Sequence, residues 1–206
     1  MTVTRNLNKF LFFIFATNLV VAAVQAETPT DADFQRIERY LNSLQTIQSK
    51  FVQNNPDGSF ALGTLYLQRP GLMRFEYDPP VPIRLYADGN FFIHVDMELE
   101  QVSHYPLNET PAHFILREKI SLRKELKVKK FQRANRVIRI ELTDAQNPDI
   151  GSVTLALSDN PLELRSWTIT DAQGLQTELA FVEARFGGQI DPSLFEYVDK
   201  FEEDSN

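Results

Sequence analysis

The residues best suited to chemistry in this chain are three histidines, His94, His104 and His113, and the most suggestive arrangement is His94-Val95-Asp96. A strand alternates its side chains, so His94 and Asp96 fall on one face, and a hairpin centred near residues 97 to 99 would set His104 opposite them. That grouping would suit a divalent metal or the polar cluster of a hydrolase. Histidines on the wet face of a sheet are far commoner than either, so no metal site and no catalytic residue is expected. Cysteine is absent, which removes disulfides, thiolate ligands and thiol nucleophiles together. No Gly-x-Ser-x-Gly elbow and no phosphate-cradling glycine loop occurs. Carboxylates are plentiful but alternate with apolar residues, as a solvated strand face requires, so no acid–base pair stands out. The chain reads as a non-enzyme that needs no cofactor.

Its enrichment lies in phenylalanine, with 16 residues, and in long aliphatic side chains. The elements that would position them follow from periodicity. Asp31 can cap a helix whose apolar residues Phe34, Ile37, Leu41 and Leu44 form one stripe. From Ile47 to residue 105 the period is two, with Asp57-Gly58 and Asp88-Gly89 as hairpin signals. Met73, Phe75 and Tyr77 share a face, and Ile83, Leu85 and Ala87, then Phe91, Ile93 and Val95, are read as continuing it. Thr110-Pro111 opens a short helix with Ala112, Ile115, Leu116 and Ile120 on its apolar side, and Ser121 can cap another turn of helix around Leu122 to Leu126. Strands follow near 126–133, 136–143, 151–158, 162–170 and 175–186. About eleven consecutive antiparallel strands must curl to manage their edges. Helices inserted into such a chain can cover a cavity, and an apolar cavity suits an acyl chain.

The first residues look like an export signal. Arg5 and Lys9 precede an apolar run from Phe10 to Val24, and Val24-Gln25-Ala26 suits a signal peptidase, so cleavage before Glu27 is expected, leaving residues 27–206 as one domain. The run is interrupted by Thr17 and Asn18 and falls short of the roughly 20 apolar residues a spanning helix needs. Loss of Arg5 and Lys9 takes the formal net charge from −7 to −9, yet residues 117 to 139 hold ten Lys or Arg against Glu118 and Glu125. A charged strand edge that discourages aggregation accounts for this cluster; the alternative is a docking or anionic-lipid surface. Nucleic acid is not expected as a partner of an exported acidic protein.

One segment carries a family resemblance. Leu67-Gln68-Arg69-Pro70-Gly71-Leu72-Met73-Arg74-Phe75-Glu76-Tyr77 joins two amphipathic strands through an Arg-Pro-Gly corner, with Phe51-Val52-Gln53 before it, a Gly63-Thr64-Leu65 strand leading in and Asp78-Pro79-Pro80 leading out. These parts, in this order, resemble the LolA family of periplasmic lipoprotein carriers, over roughly residues 31 to 198. The resemblance implies a mainly β fold, an incomplete antiparallel barrel of about eleven strands with an α-helical lid. It implies a monomeric periplasmic carrier that binds the acyl chains of lipoproteins and shuttles them from the inner to the outer membrane. The partners it implies are acylated lipoproteins as cargo, an inner-membrane ABC transporter that releases them, and an outer-membrane receptor. A lipid-binding or sensor domain of the same fold, without transport, is the alternative. In the family the corner arginine, here Arg69, latches the lid to backbone carbonyls. The acyl-binding positions expected here are Leu41 on the first helix, Leu65, Leu67, Met73, Phe75, Leu85, Phe91 and Ile93 on strands, and Ile115 and Leu116 in the lid.

Overall fold

The computed structural model of the protein describes residues 28–198 and 201. The expected export signal and its cleavage site lie outside the described residues. A helix, α1 (Asp31–Ser43), comes first, followed by β1 (Thr46–Asn54), β2 (Phe60–Gln68), β3 (Leu72–Tyr77), β4 (Ile83–Asp88), β5 (Phe91–Asp96) and β6 (Gln101–Pro106). A 3₁₀ turn (Leu107–Glu109) and one short helix, α2 (His113–Leu116), precede β7 (Leu126–Ala134), β8 (Val137–Asp144), β9 (Ser152–Asp159), β10 (Leu162–Thr170) and β11 (Gln176–Phe186). A last 3₁₀ turn spans Pro192–Phe195.

The cap of α1 is Thr30 rather than Asp31. The Asp33 amide donates to the Thr30 hydroxyl, and the Asp33 carboxylate accepts from the Thr30 amide, so two otherwise orphaned donors are satisfied reciprocally. Asp31 and Asp33 then both lie in the first turn, where carboxylates favour the positive end of the helix dipole. Ile37 and Leu41 form the buried stripe.

All eleven strands form one sheet in the order β6-β5-β4-β3-β2-β1-β11-β10-β9-β8-β7. Every neighbouring pair is antiparallel. Among the described residues β6 and β7 have no partner on their outer sides, so the sheet does not close into a barrel, as the expected incomplete barrel requires. Register shifts in β1, β7 and β10 mark irregularities of the kind that increase local twist. Gly63 on β2 has a packing reason: a Cβ there would lie 2.7 Å from the Phe51 ring and 2.2 Å from the Glu76 carbonyl. The ring of Phe51 instead lies over the glycine and meets Phe75 and Tyr77 edge-on.

The inner face carries the main core, from Ile37 and Leu41 of α1 through Leu65, Leu67, Met73 and Phe75 to Ile138, Ile140, Leu155 and Trp167. A second, smaller cluster occupies the outer face: Tyr86, Ile93 and Val95, packed against Met97, Val102, Tyr197 and Phe201. Two expectations are corrected here. Residues 121–125 form a turn, not a helix; the Leu126 amide donates to the Ser121 carbonyl, and the Leu122 amide donates to Glu38 of α1. Phe91 and Ile93 lie on the outer face. Ala87 pairs with Phe92 and Leu85 with His94, and directly paired residues share a face, so the odd-numbered inner set of β4 continues as an even-numbered set on β5. His94 is therefore inward while His104, paired with Ile93, is outward against Phe91 and Tyr197. The polar cluster that a metal or a hydrolase would need from these histidines does not form.

Candidate functional site

The site begins at the Arg69-Pro70-Gly71 corner between β2 and β3. Gly71 has φ +80°, a conformation that favours glycine, and its position admits no side chain because a Cβ would lie 2.7 Å from the Gly89 Cα of the neighbouring turn. Beside this turn the Arg69 side chain points inward and is only 6% exposed. Its Nη1 donates to the carbonyls of Leu41 (2.6 Å) and Leu44 (3.2 Å), its Nε to that of Arg117 (2.7 Å) and its Nη2 to that of Glu118 (3.2 Å). Burial pulls the pKa of the guanidinium down from its ordinary value. The carbonyls at the end of α1 offset that cost: they lie at the negative end of the helix dipole, where that of Leu41 accepts from both Arg69 and the Leu44 amide.

Arg69 therefore joins three things: the strand corner, the C-terminus of α1 and the segment after α2. Parallel bonds reinforce the junction. The Gly71 amide donates to the Leu116 carbonyl (2.9 Å), and the Asn42 side chain pairs with both backbone groups of Ile120. Residues 107–125 and α1 together form a lid on the inner face.

Under the lid the interior is filled. Leu41, Leu44, Ile47, Leu67, Arg69, Phe114, Ile115 and Ile120 are among the residues enclosing a cavity of about 20 Å³, little more than one water needs. Beyond α2, by contrast, a cleft of about 800 Å³ opens between the two halves of the sheet. Its walls are Met73, Phe75, Tyr77, Leu85 and Phe92 on one side and Trp167, Ile169 and Leu179 on the other, with Pro111, Ala112, Ile115 and Ile150 across the top. That volume is at the upper end of small-ligand sites. The Tyr77 hydroxyl donates to Gln53 (2.8 Å), and burial pushes its pKa up to about 12, so it stays neutral at the cleft wall. Glu109 and Asp171 are the ionisable carboxylates at the border. Ile115 lines both spaces, the open cleft and the small cavity under the lid.

Residues 42–198 match the family described as Outer membrane lipoprotein carrier protein LolA. The chain belongs to that family. Among individual relatives, it is similar to the Outer-membrane lipoprotein carrier protein of Methylococcus capsulatus, 28% identical over 196 residues, covering 88% of this chain and 91% of the relative. It is likewise 28% identical to that of Pseudomonas aeruginosa over 193 residues, covering 89% and 92%. Among solved structures it is similar to a LolA superfamily protein from Nitrosomonas europaea, with a TM-score of 0.46 at 9% identity, covering 80% of this chain and 97% of the other.

For this LolA-family chain the anticipated acyl-binding residues divide into four groups. Met73, Phe75, Leu85 and Ile115 line the open cleft, while Leu41 and Leu67, again with Ile115, line the small cavity under the lid. Leu65 and Leu116 are enclosed in core and border neither space. Phe91, 42% exposed, and Ile93 belong to the outer face. The far wall, Trp167, Ile169 and Leu179, was not anticipated, although the spacing of Trp167 and Ile169 by two is the signal of a shared strand face. Of the ten basic residues between 117 and 139, Arg117 pairs with Asp144 and Glu125 and Arg133 with Asp33 and Asp159 in partly buried contacts, Arg123 with Asp31 and Lys129 with Glu141 form more exposed pairs, and Lys119, Lys124, Lys127, Lys130, Arg136 and Arg139 are exposed.

Proposed function

We propose that the protein is a periplasmic carrier that houses the acyl chains of lipoproteins in the cleft and moves them from the inner to the outer membrane. The observation that carries this reading is the pairing of a water-accessible apolar cleft of about 800 Å³ with a filled interior closed by Arg69. Membership of the lipoprotein carrier family supports it. The physical need is clear. Each CH₂ brought into water costs about 0.8 kcal/mol, so a chain with about 15 of them resists leaving a membrane by on the order of 12 kcal/mol. A carrier must match that apolar environment and still let go.

In this reading one acyl chain enters the cleft between Phe75 and Trp167, and displacement of Ile115 with α2 joins cleft and interior, enlarging the site for further chains. The lid's hydrogen bonds re-form as cargo leaves, so closure competes with retention and drives release. Loading from an ABC transporter and hand-over to an outer-membrane receptor are the exchange steps the reading requires. Spheroplasts that display newly synthesised lipoproteins provide the test. Added mature protein should bring lipoprotein into the supernatant as a complex with itself; lipoprotein that stays wholly membrane-bound, under conditions where a known carrier releases it, would contradict the proposal.

A further inference from the structure

The segment that accepts Arg69 is itself held from the opposite side. Arg117 follows α2 directly, and while its carbonyl and that of Glu118 receive Arg69, its side chain reaches away to the far half of the sheet. There its Nη2 donates to Asp144 Oδ2 at the end of β8, and its Nη1 approaches Glu125 at 3.4 Å. The Arg117 and Asp144 side chains are 14% and 13% exposed, so solvent screens the pair far less than a surface pair. Asp144 is fixed in its turn. Its Oδ1 accepts from the amides of Gln146 (2.8 Å) and Asn147 (2.9 Å), which leaves Oδ2 aimed at Arg117. Burial opposes its ionisation, but those amides and Arg117 outweigh it and hold the carboxyl below its ordinary range. The Ala145 amide adds a bond to the Glu125 carbonyl (3.0 Å).

We propose that Arg117 is a positioning residue for the lid: its ion pair with Asp144 sets the orientation of the two carbonyls that Arg69 must find to close it. The proposal rests on the carrier reading and deepens it, since it names a second residue on which closure depends. Arg69 ties both parts of the lid, the end of α1 and residues 117–118, to the end of β2, and Arg117 ties the second of these parts to β8. A carbonyl rotates with its peptide plane, so a loose segment presents Arg69 with acceptors that are correctly oriented for only part of the time. Arg117 acts through Arg69, not beside it.

That dependence gives the test a distinctive form. Amide exchange followed by NMR on the free protein reads closure of the lid on the strand corner at Gly71, bonded to Leu116, and the joining of the lid's two parts at Ile120, bonded to Asn42 of α1. Arg117→Met keeps most of the side-chain volume and removes the charge, and Asp144→Asn keeps an oxygen for the Gln146 and Asn147 amides; the second variant carries the test if the first folds poorly. Each should speed exchange at Gly71 and Ile120 about fivefold or more while the β9 amides stay protected, and Arg117→Lys should recover part of the loss. In an Arg69→Leu background neither should add anything. Unchanged exchange in the single variants, or the same acceleration on top of Arg69→Leu, would overturn the proposal. Because no cargo is involved, failure of acyl binding would undo the carrier reading and leave this result standing.

Discussion

Arg69→Leu is expected to hold cargo more tightly than the natural protein and to hand it on about tenfold to a hundredfold more slowly. The reasoning is one of linked equilibria. A closed lid and a loaded interior exclude each other, so every bond that stabilises closure weakens retention by the same free energy. Arg69 donates to four carbonyls, and a hydrogen bond from a charged donor contributes about 1.5–3 kcal/mol. Much of the sum is offset by burying the guanidinium. Even if no more than one such bond survives in the net balance, about 1.4 kcal/mol is already a factor of ten. Leucine cannot satisfy the carbonyls of Leu41 and Leu44, so the lid should rest open with the strands intact. Titration with a diacylated peptide, followed by its transfer to acceptor liposomes, reads both quantities. Equal affinity and equal transfer rate in the variant would remove Arg69 from the mechanism.

Leu85→Glu should have the opposite effect, a protein that folds and does not bind. Leu85 is half-buried on the cleft wall beside Phe75 and opposite His94, so in the empty protein a carboxylate there meets water and an imidazole. The cost to folding should stay near 1 kcal/mol. An acyl chain laid against it must strip the charge of water without offering a partner, at several kcal/mol, which lowers acyl affinity at least a hundredfold. Thermal unfolding together with the same peptide titration separates the two effects. A folded variant with natural affinity would place the acyl chains elsewhere.

Much of the architecture is legible in the sequence because its strands obey the period-two rule with one buried face. The segments 162–170 and 175–186 are read within a residue of β10 and β11. The corrections arise where local chemistry is degenerate. Thr30 and Asp31 both carry a capping oxygen, and only the reciprocal bond with Asp33 selects Thr30. Ser121 resembles a helix start, but Glu38 of α1 claims the Leu122 amide, a tertiary bond invisible to local pattern. β5 misleads because its more apolar set is the outer one: Ile93 and Val95 are covered from outside by Tyr197 and Phe201, while the inward set is Phe92, His94 and Asp96. Which set faces inward depends on the parity of the hairpin, and a turn signal does not fix that. Half of the cleft escaped for another reason. The distinguishing motif lies between Phe51 and Pro80, so the opposing wall of Trp167, Ile169 and Leu179 had no comparable marker.

Trp167 is also the means of testing the central claim, that acyl chains occupy the cleft. It is the single tryptophan of the chain, is 3% exposed and forms part of the cleft wall. Bromine on an acyl chain quenches indole fluorescence only near contact. Titration of the mature protein with a diacylated peptide brominated midway along its chains should therefore quench Trp167 saturably, and the unbrominated peptide should compete the quenching away. A peptide that binds with measurable affinity and leaves Trp167 fluorescence undimmed would contradict the account.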